Sequence, residues 1–165
     1  MYMDTAKTAE YVEYIVETLT KNGLTLAAAE SCTGGMVSSA IVDYPGASNV
    51  FLDGIVSYSN EAKMKFLGVK SETLEKYGAV SSQTAQEMCE GAARESGADI
   101  GISTTGVAGP GGGTPEKPVG TVWIGIHTPN GTETKLLQLS GTRTEIREQT
   151  TEILLGELKN RIYHN

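Results

Sequence analysis

Ser31 and Lys63 are the residues of this chain whose types and settings could do nucleophilic chemistry. Ser31 stands in the run Ala27-Ala28-Ala29-Glu30-Ser31-Cys32-Thr33-Gly34-Gly35. The small apolar stretch from Leu24 to Ala29 reads as a short buried strand, and apolar positions resume at helical spacing from Met36 to Val42 after the two glycines. Ser31 is therefore expected at a strand-to-helix turn, where backbone N–H groups and the positive end of a helix dipole suit an anion or a developing oxyanion. The competing reading is that Ser31 or Thr33 simply caps the helix. Lys63 is expected in the first turn of a short helix from Glu61 to Leu67, capped by Asn60 and ended by Gly68. The helix dipole opposes a cation there and lowers its pKa. A free lysine titrates near ~10.4 and an effective base wants roughly 7 to 8, so burial must supply most of the remaining shift. An exposed lysine is the competing account, and Lys65 fits that account equally well.

Other nucleophilic arrangements are harder to build. A Ser–His–Asp triad needs a histidine beside the serine, yet His127 falls in a hairpin strand and His164 lies next to the C-terminus. The surroundings of Ser31 also depart from the G-x-S-x-G elbow, with Ala29 and Thr33 at its glycine positions. The remaining bases for Ser31 are a lysine, a tyrosine such as Tyr58, or a carboxylate such as Glu30, and Cys32 is the neighbouring rival nucleophile. The segment from Gly106 to Pro118 is dominated by glycine and proline and excludes a helix or a central strand. It lacks both the P-loop order and the G-x-G-x-x-G fingerprint, and reads either as a backbone-lined wall beside a ligand or as a surface loop. Thr142-Arg143, at the start of a helix, is the better phosphate candidate, with capping by Thr142 as the alternative.

The elements that must position these residues follow from periodicity. Val12, Ile15, Val16 and Leu19 form one stripe of a helix over residues 4–22, with Asp4 as cap and Gly23 as terminator. Strands are expected over 24–29, 50–57, 99–105, 119–127 and 133–139, with Gly54 marking a bulge or a close backbone approach. Helices are expected after Gly35, Asn60, Ser71 and Ser81 or Ser82, and a long one follows Arg143. Cys89 falls on the apolar face of the helix after Ser81 and reads as a core thiol. Asn130-Gly131 signals a hairpin joining the last two strands. Early strands joined by helices and one late hairpin predict an α/β fold: a single three-layer α/β/α sandwich with a mixed, roughly five-stranded sheet, spanning residues 1–165 as one domain.

Composition bounds the partners. The formal charge of −7 argues against nucleic acid as the main partner, because that affinity rests on clustered Lys and Arg. No apolar run approaches the ~20 residues of a membrane helix, and the N-terminus has no signal-peptide pattern, so a cytoplasmic protein is expected. Cys32 and Cys89 lack metal-site spacing, and no metal is expected. Association into a homo-oligomer is expected.

Four blocks taken together resemble one family: Ala29 to Gly35, Tyr58-Ser59-Asn60-Glu61-Ala62-Lys63, Gly78-Ala79-Val80-Ser81, and Ala108 to Gly113 with Glu116-Lys117-Pro118-Val119-Gly120-Thr121-Val122-Trp123. The chain resembles the CinA C-terminal domain family over its whole length. That resemblance implies hydrolysis of the carboxamide of nicotinamide mononucleotide to nicotinic acid mononucleotide and ammonia, in pyridine nucleotide recycling. It implies a Ser/Lys mechanism without metal or cofactor. Ser31 is then the nucleophile and Lys63 the base, and Tyr58, Thr105 and Arg143 match further active-site positions. Glu30, Cys32, Thr33, Gly34, Gly35 and Gly106 are expected to contribute to substrate binding. Many members carry an added N-terminal domain, so this chain is expected to be the stand-alone form. The alternative is a regulatory or partner-binding module that uses the same pocket, and ammonia release separates the two.

Overall fold

The computed structural model describes residues 4–163, so His164 lies outside the described residues. Helix α1 (Thr5–Asn22) begins where Asp4 accepts a hydrogen bond from the Lys7 amide and ends at left-handed Gly23. Strand β1 (Leu26–Glu30) is buried along its whole length. That burial explains why it reads as a continuous apolar run: Leu26 and Ala28 face one helical layer, Ala27 and Ala29 the other. Helix α2 (Met36–Val42) leads to strand β2 (Phe51–Val56). Helices α3 (Asn60–Leu67), α4 (Ser71–Tyr77) and α5 (Ser82–Ser96) then cross to strand β3 (Ile100–Gly106). Strands β4 (Thr121–Thr128) and β5 (Gly131–Gln138) and the long helix α6 (Arg143–Tyr163) complete the fold.

The sheet order is β2-β1-β3-β4-β5. β1 is parallel to both β2 and β3, whereas β3–β4 and β4–β5 are antiparallel. α1, α2 and α6 cover one face and α3, α4 and α5 the other, giving the expected α/β/α sandwich. From β1 the chain moves outward to β2, and from β3 it moves the opposite way to β4. The carboxyl ends of β1 and β3 therefore flank a topological switch point, where open α/β sheets form a crevice.

Several boundaries differ from expectation. Ser59, not Asn60, caps α3: its hydroxyl accepts from the Ala62 amide at 3.0 Å, and Asn60 is already helical. The hairpin turn is Pro129-Asn130, because Gly131 already pairs with Thr128. β4 starts at Thr121 rather than Val119, since Gly120 carries a positive φ of 94° and breaks the extended run. Gly54 marks a close approach: a Cβ there would collide with the hydroxyl of Ser38 on α2. A register shift between Leu26 and Ala27 accompanies it in the β1–β2 ladder.

Candidate active site

Ser31 directly follows β1, and its amide continues the parallel ladder by donating to Thr104 O at 3.0 Å. Lys63 is the fourth residue of α3. Helical side chains lean toward the helix N-terminus, so its stem runs back to the end of β2 and over Ser31. Nζ lies 3.0 Å from Ser31 Oγ, 2.9 Å from Ser57 O and 3.5 Å from Tyr58 O. A neutral amine has two N–H donors and one lone pair. The two carbonyls suit the donors, which leaves the lone pair for the Ser31 hydroxyl. Lys63 is only 1% exposed, and this burial holds its pKa below the ordinary 10.5, with the neighbouring Cys32 acting weakly in the opposite direction. Lys65, by contrast, is exposed.

The turn after Ser31 is built on glycines. Gly34 and Gly35 take φ values of 58° and 99°, which favour glycine, and Gly35 stands at the N-cap position of α2 without a side-chain cap. Neither Ser31 nor Thr33 caps that helix. Glu30 does so from beneath. Its Oε2 accepts from the Gly35 amide at 3.0 Å, the Val37 amide at 3.1 Å and Thr33 Oγ1 at 2.6 Å. Its Oε1 accepts from the Ser38 amide at 2.8 Å and Ser38 Oγ at 2.7 Å. The α2 dipole and amides thus serve a carboxylate of the chain itself, not a ligand. Among the described residues, the amides of Cys32 and Thr33 donate to no other residue.

A cleft of about 240 Å³ opens at the switch point, and Ser31, Lys63, Tyr58, Thr105 and Arg143 all line it. Cys32 and Gly106 also face it, whereas Glu30, Thr33, Gly34 and Gly35 do not. Glu30 and Thr33 turn inward, Thr33 Oγ1 lying 2.8 Å from Thr104 Oγ1, and the two glycines shape the turn. Thr105 Oγ1 donates to Ala79 O at 2.7 Å, so toward the cleft its oxygen can only accept. At the mouth, Arg143 donates from Nη2 to the exposed Tyr58 hydroxyl and from Nη1 to Gly109 O, both at 2.8 Å. The amides at the start of α6 are partly committed elsewhere. The Glu145 amide donates to Thr142 Oγ1 at 3.3 Å and Glu145 Oε2 accepts from the Thr142 amide at 2.7 Å, a reciprocal capping box. Capping by Thr142 is therefore real, and the anion-binding capacity at this end lies in the Arg143 guanidinium.

The rival groups are poorly placed. Burial pushes the Cys32 thiol up to about 11 and the Cys89 thiol up to about 12, so both are protonated near neutral pH. His127 pairs with Gly101, at the opposite end of β3 from Ser31. No group of three or more His, Cys, Asp or Glu side chains gathers as metal ligands would among the described residues.

Asn60, Ala79, Val80 and Ala108 also line the cleft; all four lie within the blocks that carry the family resemblance, but nothing in their residue types singled them out for a site role. Arg147 carried a signal that sequence reading passed over, the i, i+4 spacing from Arg143 that places both arginines on one face of α6. Its Nε donates to Cys32 O at 3.1 Å and its Nη2 to Thr33 O at 2.8 Å.

The same scaffold recurs in known proteins. A CinA-like protein of Kosmotoga olearia is 56% identical over 143 residues, which cover 87% of this chain and 35% of that protein. The chain thus spans about a third of the length of the curated relatives it matches. The crystal structure of the competence/damage inducible protein CihA from Agrobacterium tumefaciens superposes with a TM-score of 0.91 at 40% identity, covering 95% of this chain and 96% of that one. The competence damage-inducible protein A from Klebsiella pneumoniae gives 0.91 at 35% identity, covering 95% and 98%. The family profile described as the CinA C-terminal domain matches residues 8–162, from the first turn of α1 to the last turn of α6, and the chain belongs to that family.

Proposed function

We propose that the cleft hydrolyses a carboxamide, with nicotinamide mononucleotide as the substrate, through a covalent Ser31 ester. The observation that carries this reading is the 3.0 Å approach of a buried lysine amine to a serine hydroxyl at the sheet's switch point. Neutral Lys63 takes the hydroxyl proton as Ser31 Oγ bonds to the amide carbon. The Cys32 amide is the available donor at the cleft for the resulting oxyanion. When the tetrahedral adduct collapses, the C–N bond breaks and the departing nitrogen takes the proton from the Lys63 ammonium, leaving as ammonia. Water, losing a proton to neutral Lys63, then attacks the ester and releases the carboxylate, and Ser31 recovers its proton. Nucleophile and base both come from the chain, so the reading needs no cofactor.

Specificity for an amide and for a mononucleotide has separate supports. The accept-only oxygen of Thr105 suits the NH₂ of a carboxamide. The Arg143 guanidinium, steadied by Tyr58 and Gly109, suits a phosphate at the mouth.

The test is ammonia release from nicotinamide mononucleotide, its riboside and free nicotinamide, with and without a chelator. Turnover of the mononucleotide is expected, and it should vanish in Ser31→Ala while substrate binding persists. Near wild-type turnover by Ser31→Ala would remove the nucleophile assignment. Thiol alkylation that leaves activity intact would remove Cys32 as the rival nucleophile.

A further inference from the structure

Arg147 touches neither cleft nor substrate site, yet one half-buried guanidinium holds the carbonyls of both residues that follow Ser31. The peptide bonds in this turn are trans, and in a trans peptide C=O and N–H point in opposite directions. Holding Cys32 O therefore sets the direction of the Thr33 N–H, which has no acceptor among the described residues. Holding Thr33 O sets the Gly34 N–H, which donates to Ser31 O at 3.1 Å; that carbonyl shares a trans peptide with the N–H of Cys32, a residue that lines the cleft. Two left-handed glycines follow directly, so the chain's own rotamer preferences do little to hold this turn. The turn's own bonds, from the Gly34 amide to Ser31 O and from the Met36 amide to Thr33 O at 3.2 Å, are braced from outside: Glu30 anchors the far side through α2, and Arg147 anchors the near side from α6.

We infer that Arg147 is a positioning residue that, by fixing Thr33 O and through it the Gly34–Ser31 hydrogen bond, aims the Cys32 amide at the oxyanion formed on Ser31 acylation. The inference rests on the Ser31 acyl-enzyme reading above. Its geometry also links the two jobs of α6, since Arg143 reaches the cleft mouth one helical turn before Arg147 reaches the nucleophile turn. A lysine could donate to one carbonyl but could not fork across two.

The experiment compares wild type with Arg147→Lys, Arg147→Gln and Arg147→Ala. Arg147→Gln is expected to lower kcat roughly 10- to 100-fold, short of or comparable to the loss of a whole oxyanion donor, with KM within about twofold. Arg147→Lys should fall between Arg147→Gln and wild type, and added methylguanidinium should restore part of the rate of Arg147→Ala. A purely structural role predicts a lowered unfolding midpoint with no rescue. Unchanged kcat in Arg147→Lys and Arg147→Gln, or a loss confined to KM, overturns the inference. To separate it from the substrate assignment, the same proteins are mixed with p-nitrophenyl acetate, and the nitrophenolate burst and Ser31 acylation are followed. If wild type leaves nicotinamide mononucleotide intact but Ser31 acylates, the substrate reading fails while slower bursts in the Arg147 variants still support the positioning role. Equal bursts overturn it, and failure of wild-type Ser31 to acylate with either compound overturns both.

Discussion

Lys63 Nζ and Ser31 Oγ meet at 3.0 Å although the residues lie 32 positions apart, because α3 starts just past β2 and β2 lies beside β1 in the sheet. Burial of the amine favours its neutral form, so activity should rise with pH, about tenfold per unit below an apparent pKa under that of free lysine, and then level off. Lys63→Arg should be as inactive as Lys63→Ala, because a guanidinium stays protonated and cannot take the hydroxyl proton. The exposed Lys65→Ala supplies the control and should retain full activity. Substantial turnover by Lys63→Arg would leave only an electrostatic role for the lysine.

The same burial has a consequence for stability. The folded pKa of Lys63 lies below its unfolded value, so between the two the unfolded chain binds one more proton and stability rises with pH. The cost of holding the cation is fully present below the folded pKa and disappears as pH rises toward 10.5. Relative to Lys63→Met, the unfolding free energy of wild type should gain up to about 1.4 kcal/mol per pH unit within that window. Urea titrations of both proteins across alkaline pH measure the slope. A flat or falling difference contradicts the shift.

Arg143→Ala should raise KM for nicotinamide mononucleotide by roughly 10- to 100-fold, as expected for lost hydrogen bonds to a charged group, and affect the riboside far less. Tyr58→Phe removes one anchor of the guanidinium and should raise KM less. Thr142→Ala offers the contrast, since the Thr142 hydroxyl caps α6. It should cost about 1 kcal/mol of stability and leave KM unchanged. Equal losses for mononucleotide and riboside in Arg143→Ala would contradict phosphate binding.

Glu30→Gln should destabilise the fold by about 2–3 kcal/mol, because a carboxylate accepting five hydrogen bonds would be replaced by an amide whose NH₂ opposes donors. Denaturant unfolding measures this directly. A cost below about 0.5 kcal/mol would show that the α2 terminus finds other partners.

Local sequence determined the elements, because stripes, strand runs and glycine stops report short-range backbone preferences. The helix over 4–22, the turn at Ser31 and the late hairpin were all legible in this way. The switch point was not, because the order β2-β1-β3-β4-β5 depends on how the strands and helices pack together and not on local backbone preference. Tertiary packing decided which side chains meet. Lys63 and Lys65 share one short helix and are equivalent by pattern, and only the docking of α3 against α5 turns one inward and leaves the other in water. Glu30 stands beside Ser31 in sequence but on the opposite side of the strand, so adjacency suggested the cleft while strand alternation sent it to α2. Arg147 lies more than a hundred residues from the turn it clamps. No local pattern encodes such a contact, because it exists only once α6 packs beside α2.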